Sequence, residues 1–293
     1  MKFMRNTSRL LVLGVLSSVL LAPNLSMAQD EDANEYESFD HSNFDENSHI
    51  INNEWMPLKP GTRFVYAGTT FEDEEEVPLP HRVVINVTDL TKVIDGVRAL
   101  VTYDLDYSAG QLVEAELAFF AQDKDGNVWR MGEYPAEYED GELAEAPCWF
   151  AGIEDARAGI SMLANPWEGT PSYSQGWAPK VDFTDRGQVH EMGVSTCVPY
   201  DCFDDVLVIS ETSLDEPGAY QLKYWAQGVG NIQVGFKGDD PTQELLELVD
   251  VSELGEDALV KLRNQALEME KEAYEHRRTR KVYGETPPCE PLR

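Results

Sequence analysis

Basic residues, long apolar runs and recognisable catalytic motifs are all scarce in this 293-residue chain. Lys and Arg total 23 against 54 Asp and Glu, a formal charge of −31. So acidic a surface repels phosphate backbones and anionic headgroups, which argues against nucleic acid and lipid surfaces as partners. The apolar run at residues 10–22 is too short for a helix crossing about 30 Å of hydrocarbon, which takes about 20 residues. There is no Gly-x-Ser-x-Gly elbow, no His-Glu-x-x-His, no glycine-rich phosphate loop and no dinucleotide fingerprint. No catalytic residue and no cofactor can be named on this basis, and the expectation is a protein that is not an enzyme.

What is present begins with a leader. Lys2, Arg5 and Arg9 precede the short apolar run, and Ser26-Met-Ala28 gives a small-x-small cleavage pattern. Residues 1–28 therefore read as a secretory signal peptide. The mature chain is expected in the periplasm or outside the cell, with no membrane anchor after cleavage. In that compartment Cys148, Cys197, Cys202 and Cys289 are disulfide candidates, an even number with three connectivities open. A bond from Cys148 to Cys197 or Cys202 would close a loop of about fifty residues and add roughly 4 kcal/mol. Cys289 either staples the tail or stays free.

Residues 29–50 carry many acids and no Lys or Arg, and read as a disordered acidic arm. Residues 51–251 form the predicted β domain. Alternating segments at 82–93 and 97–107 are joined by Asp95-Gly96, a strong hairpin signal. Further alternation at 111–121, 127–132, 188–196, 203–212, 219–226, 231–236 and 245–251 gives about ten strands. The fold class is mainly β: one curved antiparallel sheet or partly closed barrel. A Gly/Pro-rich aromatic insertion occupies 133–187. Residues 252–281 carry apolar positions every three or four residues and predict an amphipathic helix, followed by an extended tail at 282–293. The helix is expected to pack on the sheet, with a homodimer contact as the alternative.

Two acidic stretches invite a calcium reading. Asp123-Lys-Asp-Gly-Asn127 lacks the glycine and glutamate spacing of an EF-hand, and a hairpin turn explains the same residues. The acid run at 72–76 reads as a solvated loop able to attract a cation weakly.

Four segments carry a resemblance. Pro57-Leu-Lys-Pro-Gly-Thr62 opening an aromatic-x-Tyr strand, Phe120-Ala-Gln-Asp-Lys-Asp-Gly-Asn-Val-Trp129, Val198-Pro-Tyr-Asp-Cys-Phe203 and Lys223-Tyr-Trp-Ala-Gln-Gly-Val-Gly230 resemble, in this order, a broad group of exported bacterial β-rich proteins. The resemblance implies a fold like the curved sheets of lipoprotein carriers and carries no activity with it. The cysteines flanking the Val198 turn depart from the group and suggest a disulfide-bearing branch.

The resulting expectation is an exported binding or interaction protein for a small apolar ligand held between sheet and insertion. Trp149, Phe150, Trp167, Trp177 and Trp225 are the candidate ligand-binding residues. Divalent-cation binding through the acidic surface and a hydrolase with an unrecognised site are the alternatives.

Overall fold

Successive side chains of a strand point to opposite faces of the sheet, and here each face has its own core. The computed structural model describes residues 35–71, 77–214 and 216–292. The leader at 1–28, the start of the arm at 29–34 and the acid run at 72–76 lie outside the described residues.

Eleven long strands make the frame: β1 (Thr62–Thr70), β2 (Leu79–Ile94), β3 (Val97–Ser108), β4 (Gln111–Gln122), β5 (Val128–Glu139), β6 (Arg157–Met162), β7 (Arg186–Cys197), β8 (Cys202–Thr212), β9 (Ala219–Ala226), β10 (Gly230–Gly238) and β11 (Leu245–Glu253). They pair antiparallel in the order β7-β8-β9-β10-β11-β1-β2-β3-β4-β5-β6. The chain meanders through β1–β6, crosses over, meanders through β7–β11 and returns to pair β11 with β1. Counting short segments, the sheet has sixteen strands among the described residues, more than the ten expected. Most of the additional segments, such as Trp149–Phe150 and Tyr173–Ser174, are too short to show an alternation.

Turn chemistry sets the register of the first half. Asp95 and Gly96 both have positive φ (48° and 78°), as a two-residue type I′ hairpin requires, and Ala109-Gly110 repeats this geometry.

The two free edges, β6 and β7, are joined by five residues of the insertion. Tyr173 and Ser174 pair with Gly187 and Arg186 of β7, while Gly176 and Trp177 pair with Ala158 and Arg157 of β6. One stretch of chain thus nearly closes the sheet into a barrel. The approach requires glycine, since a Cβ on Gly159 would stand 2.1 Å from the Gly176 nitrogen.

Closure gives the sheet an inside and an outside, each with its own core. The lumen holds Phe64, Tyr66, Phe120, Leu207, Trp225 and Leu248 among others. Ile94, Val101, Leu117, Phe119 and Met131 are on the outer face. The C-terminal helix α1 (Glu256–Glu275) packs there too, burying Leu262, Ala266, Met269 and Ala273. It therefore covers the outside of the sheet and not the concave side.

Lys92 is locked beneath this helix. Its ammonium donates to Glu270 (2.7 Å), Tyr274 Oη (3.1 Å) and the Pro287 carbonyl (2.8 Å), and lies over the rings of Phe150, Tyr274 and Tyr283. Glu270 also accepts from the Cys289 amide, so one ion pair ties strand, helix and tail together.

Two expectations are corrected. Residues 35–50 are packed, with Phe39 and Phe44 against Trp129 and Lys124 Nζ donating to the Ser42 carbonyl. Two aromatic anchors outweigh the surrounding acids, which stay at the surface. The disulfide is Cys197–Cys202, across the β7–β8 hairpin. Cys148 and Cys289 are free and buried in the outer core, so no bond joins Cys148 to either hairpin cysteine.

Candidate functional site

The lumen is incompletely filled. A cavity of about 360 Å³ runs between an apolar end, lined by Leu58, Phe64, Tyr66, Phe120, Trp225 and Leu246, and a charged end. Asp104, Glu116, Arg130, Asp185, Glu211, Lys223 and Glu244 make up that charged end.

Strand geometry explains how these side chains meet. Side chains alternate between faces, so Asp104 and Asp106 on β3 both point inward, as do Glu114 and Glu116 on β4. The register sets Asp104 opposite Glu116, Asp106 opposite Glu114, and Glu114 opposite Glu137 of β5. Like charges in directly opposed positions destabilise a sheet. Three such pairs in succession are therefore an unfavourable arrangement that the rest of the molecule has to offset.

The cations present are already engaged. Arg130 bonds Glu133 and stands 3.8 Å from Glu116. Lys223 pairs with Glu211 at 2.9 Å, and Gln175 Nε2 donates to the same carboxylate at 2.7 Å. His81 is held on both ring nitrogens, by Asp106 (2.5 Å) and Glu244 (3.2 Å). Asp104 Oδ1 and Glu116 Oε1 remain buried without a hydrogen-bond partner, and so do Ser161 Oγ, Trp225 Nε1 and Asn231 Nδ2 of residues lining the same cavity.

The surplus of carboxylates is resolved by protons. Burial, then the charge of Glu133, pushes Glu116 up to about 8, with Arg130 pulling the other way. Burial and the neighbouring Asp106 and Glu137 raise Glu114 to about 8. Asp185 reaches about 7 through burial and Glu211. Asp104 is raised by burial and by Glu116, and Glu244 by burial. Near neutral pH much of this end is therefore uncharged, yet it can ionise if something positive enters.

The candidate aromatic residues are dispersed. Trp225 lines the cavity. Trp149 lies one layer behind it, packed on the cavity-lining Phe183 at 4.9 Å between ring centroids. Phe150 is fully buried in the outer core against Phe119 and Tyr283. Trp177 belongs to the segment closing the barrel and faces Tyr36 at 6.5 Å. Trp167 is 58% exposed.

The lumenal acids were missed, although Asp104-Leu-Asp106 and Glu114-Ala-Glu116 are alternate-position pairs in predicted strands and carried a usable signal. The turn at residues 123–127 forms as a hairpin: Asp123 accepts from Asn127 N and Nδ2 and from Trp129 Nε1, which occupies its carboxylate.

No family model and no curated protein matches the chain. Among solved structures, it is similar to a protein of Bacteroides fragilis NCTC 9343 described as exported and of YmcC-like fold. The likeness has 12% identity over 69% of this chain and 100% of that one, with a TM-score of 0.40. A protein of Parabacteroides distasonis ATCC 8503 described as a lipoprotein matches at 12% identity over 67% of this chain and 97% of its own, with a TM-score of 0.30. Neither likeness is close enough to carry a conclusion about this chain.

Proposed function

We propose that the protein is an exported, non-enzymatic binding protein whose barrel lumen takes a small ligand with an apolar body. One observation carries the reading: a cavity of about 360 Å³, walled by aromatic and aliphatic side chains at one end and by convergent polar groups at the other. That volume is near the lower end of the roughly 300–1,000 Å³ of small-molecule sites. The leader pattern and the Cys197–Cys202 bond support export into an oxidising compartment. The engagement of the His81 nitrogens and the lack of a hydrogen-bonded base at Ser161 speak for binding over nucleophilic chemistry.

Titration with the neutral apolar dye Nile red tests this. One site per chain is expected, with binding abolished in Val83→Trp, which fills the lumen beside Tyr66, while the melting temperature stays close to that of the unaltered protein. Dye binding that survives Val83→Trp, or no binding to the unaltered protein, would remove the lumen as the site.

A further inference from the structure

The polar end of the lumen points to one chemical class of ligand. Resting on the reading of the lumen as a binding site, we propose that its ligand is an organic cation, an ammonium or guanidinium head on an apolar body. The head lies at Asp104 and Glu116, and the body lies against Phe64, Phe120 and Trp225.

Three observations converge on this class. First, the unpartnered groups are arranged by kind. The unfilled acceptors Asp104 Oδ1 and Glu116 Oε1 come from one cross-strand pair, and the unfilled donors Trp225 Nε1 and Asn231 Nδ2 from another. A buried acceptor left without a donor carries its full desolvation penalty, and more when charged. A head rich in N–H donors removes that cost at the first pair, and an acceptor atom on the body does so at the second. Second, Trp225 and Ser161 are 8% and 7% exposed, so their free polar atoms face the cavity and not bulk water. Third, resident cations only partly offset Asp104 and Glu116: Arg130 bonds Glu133 and stands 3.8 Å from Glu116, beyond hydrogen-bond distance, while Lys223 pairs with Glu211. Where these acids ionise, an anionic ligand would add to the repulsion across the three opposed carboxyl pairs.

Entry of the cation also moves protons. Glu116, held near 8 by burial and Glu133, is largely protonated at neutral pH, and Asp104 is raised with it. When the ammonium arrives, the carboxyl O–H bond breaks, the proton passes to solvent, and the carboxylate accepts from the head group. The other groups facing this pair are Asp106, Glu114 and Glu137 on their own and adjoining strands, and Glu133 and Arg130 on β5. Across the lumen stand Asp185, Glu211, Lys223 and Glu244. Affinity for a cation therefore rises with pH up to about 8, by at most about tenfold per unit for each proton released.

Calorimetry with octylammonium chloride, octanol and sodium octanoate on the purified protein tests the class. At pH 8 octylammonium is expected to bind at least about tenfold tighter than octanol, as charge-assisted hydrogen bonds predict, with octanoate weakest. The margin over octanol shrinks at pH 6, and the heat depends on the buffer's ionisation enthalpy. Glu116→Gln and Asp104→Asn, isosteric changes that relieve repulsion and are checked by thermal melting, weaken octylammonium until it binds within about threefold of octanol on the same variant. Octanol binding as tightly as octylammonium to the unaltered protein overturns the cation class while the binding reading stands. If none of the three binds, and Nile red does not either, the binding reading falls and the class with it.

Discussion

The two faces of this sheet bury charge in opposite ways. Outside, Lys92 is wholly buried but saturated: one carboxylate, one phenol, one carbonyl and three aromatic rings surround a single ammonium. Inside, carboxylates outnumber cations, stand opposite one another across neighbouring strands, and keep unfilled acceptors toward a cavity. A buried ion pair with every partner in place behaves as a lock, because removing one member strands the other. A buried cluster that lacks partners leaves unfavourable energy that a ligand can relieve. The difference separates a group that holds the fold from a group that is available for binding.

Mutation can break this comparison, and the largest effect is expected on the outside. Glu270→Ala leaves the Lys92 charge buried without its carboxylate and releases the Cys289 amide, and should cost about 3–5 kcal/mol in urea unfolding. A loss below about 1 kcal/mol would mean that Lys92 is no lock. Next comes the barrel closure. Gly159→Ala sets a methyl group against the Gly176 nitrogen and should cost about 1–3 kcal/mol, with loss of Nile red binding as the lumen opens. Replacing Cys197 and Cys202 together by serine removes a bond that closes only a short hairpin, and should cost roughly 2 kcal/mol, less than the fifty-residue loop would have given.

The smallest effects belong to the lumen and carry the sharpest contrast in sign. Acids raised in the folded state keep their protons where the unfolded chain has lost them. Their stabilising contribution is present at low pH and declines as pH rises from the ordinary carboxylate range toward about 8. Melting temperature should therefore fall between pH 5 and pH 8, and Glu116→Gln should make that slope shallower. At pH 8 the same variant should change stability in the stabilising direction, because it removes a carboxyl whose ionisation the fold disfavours. A large destabilisation would show that the lumenal acids are locks like Lys92.

How far the site was legible varies residue by residue. The Asp95-Gly96 hairpin and the helix stripe from Leu262 to Ala273 were readable because each depends on neighbours within one turn or one strand pair. The candidate tryptophans scattered because a large aromatic ring gains by burial in any core: Trp149 and Trp225 serve different clusters, and Trp167 none. The acids at 104, 106, 114 and 116 were visible as alternate positions. Alternation does not say which face holds the cavity when both faces are covered.

The amino-acid order by itself determined the mainly β class, the short turns with left-handed residues and the amphipathic helix, since backbone preference and side-chain period act over a few residues. Tertiary structure alone decided that residues 173–177 bridge β6 and β7, and that Glu116, Asp185, Glu211 and Lys223 come to line one lumen. These residues are far apart along the chain, and their charges interact only once closure has brought them together and excluded water.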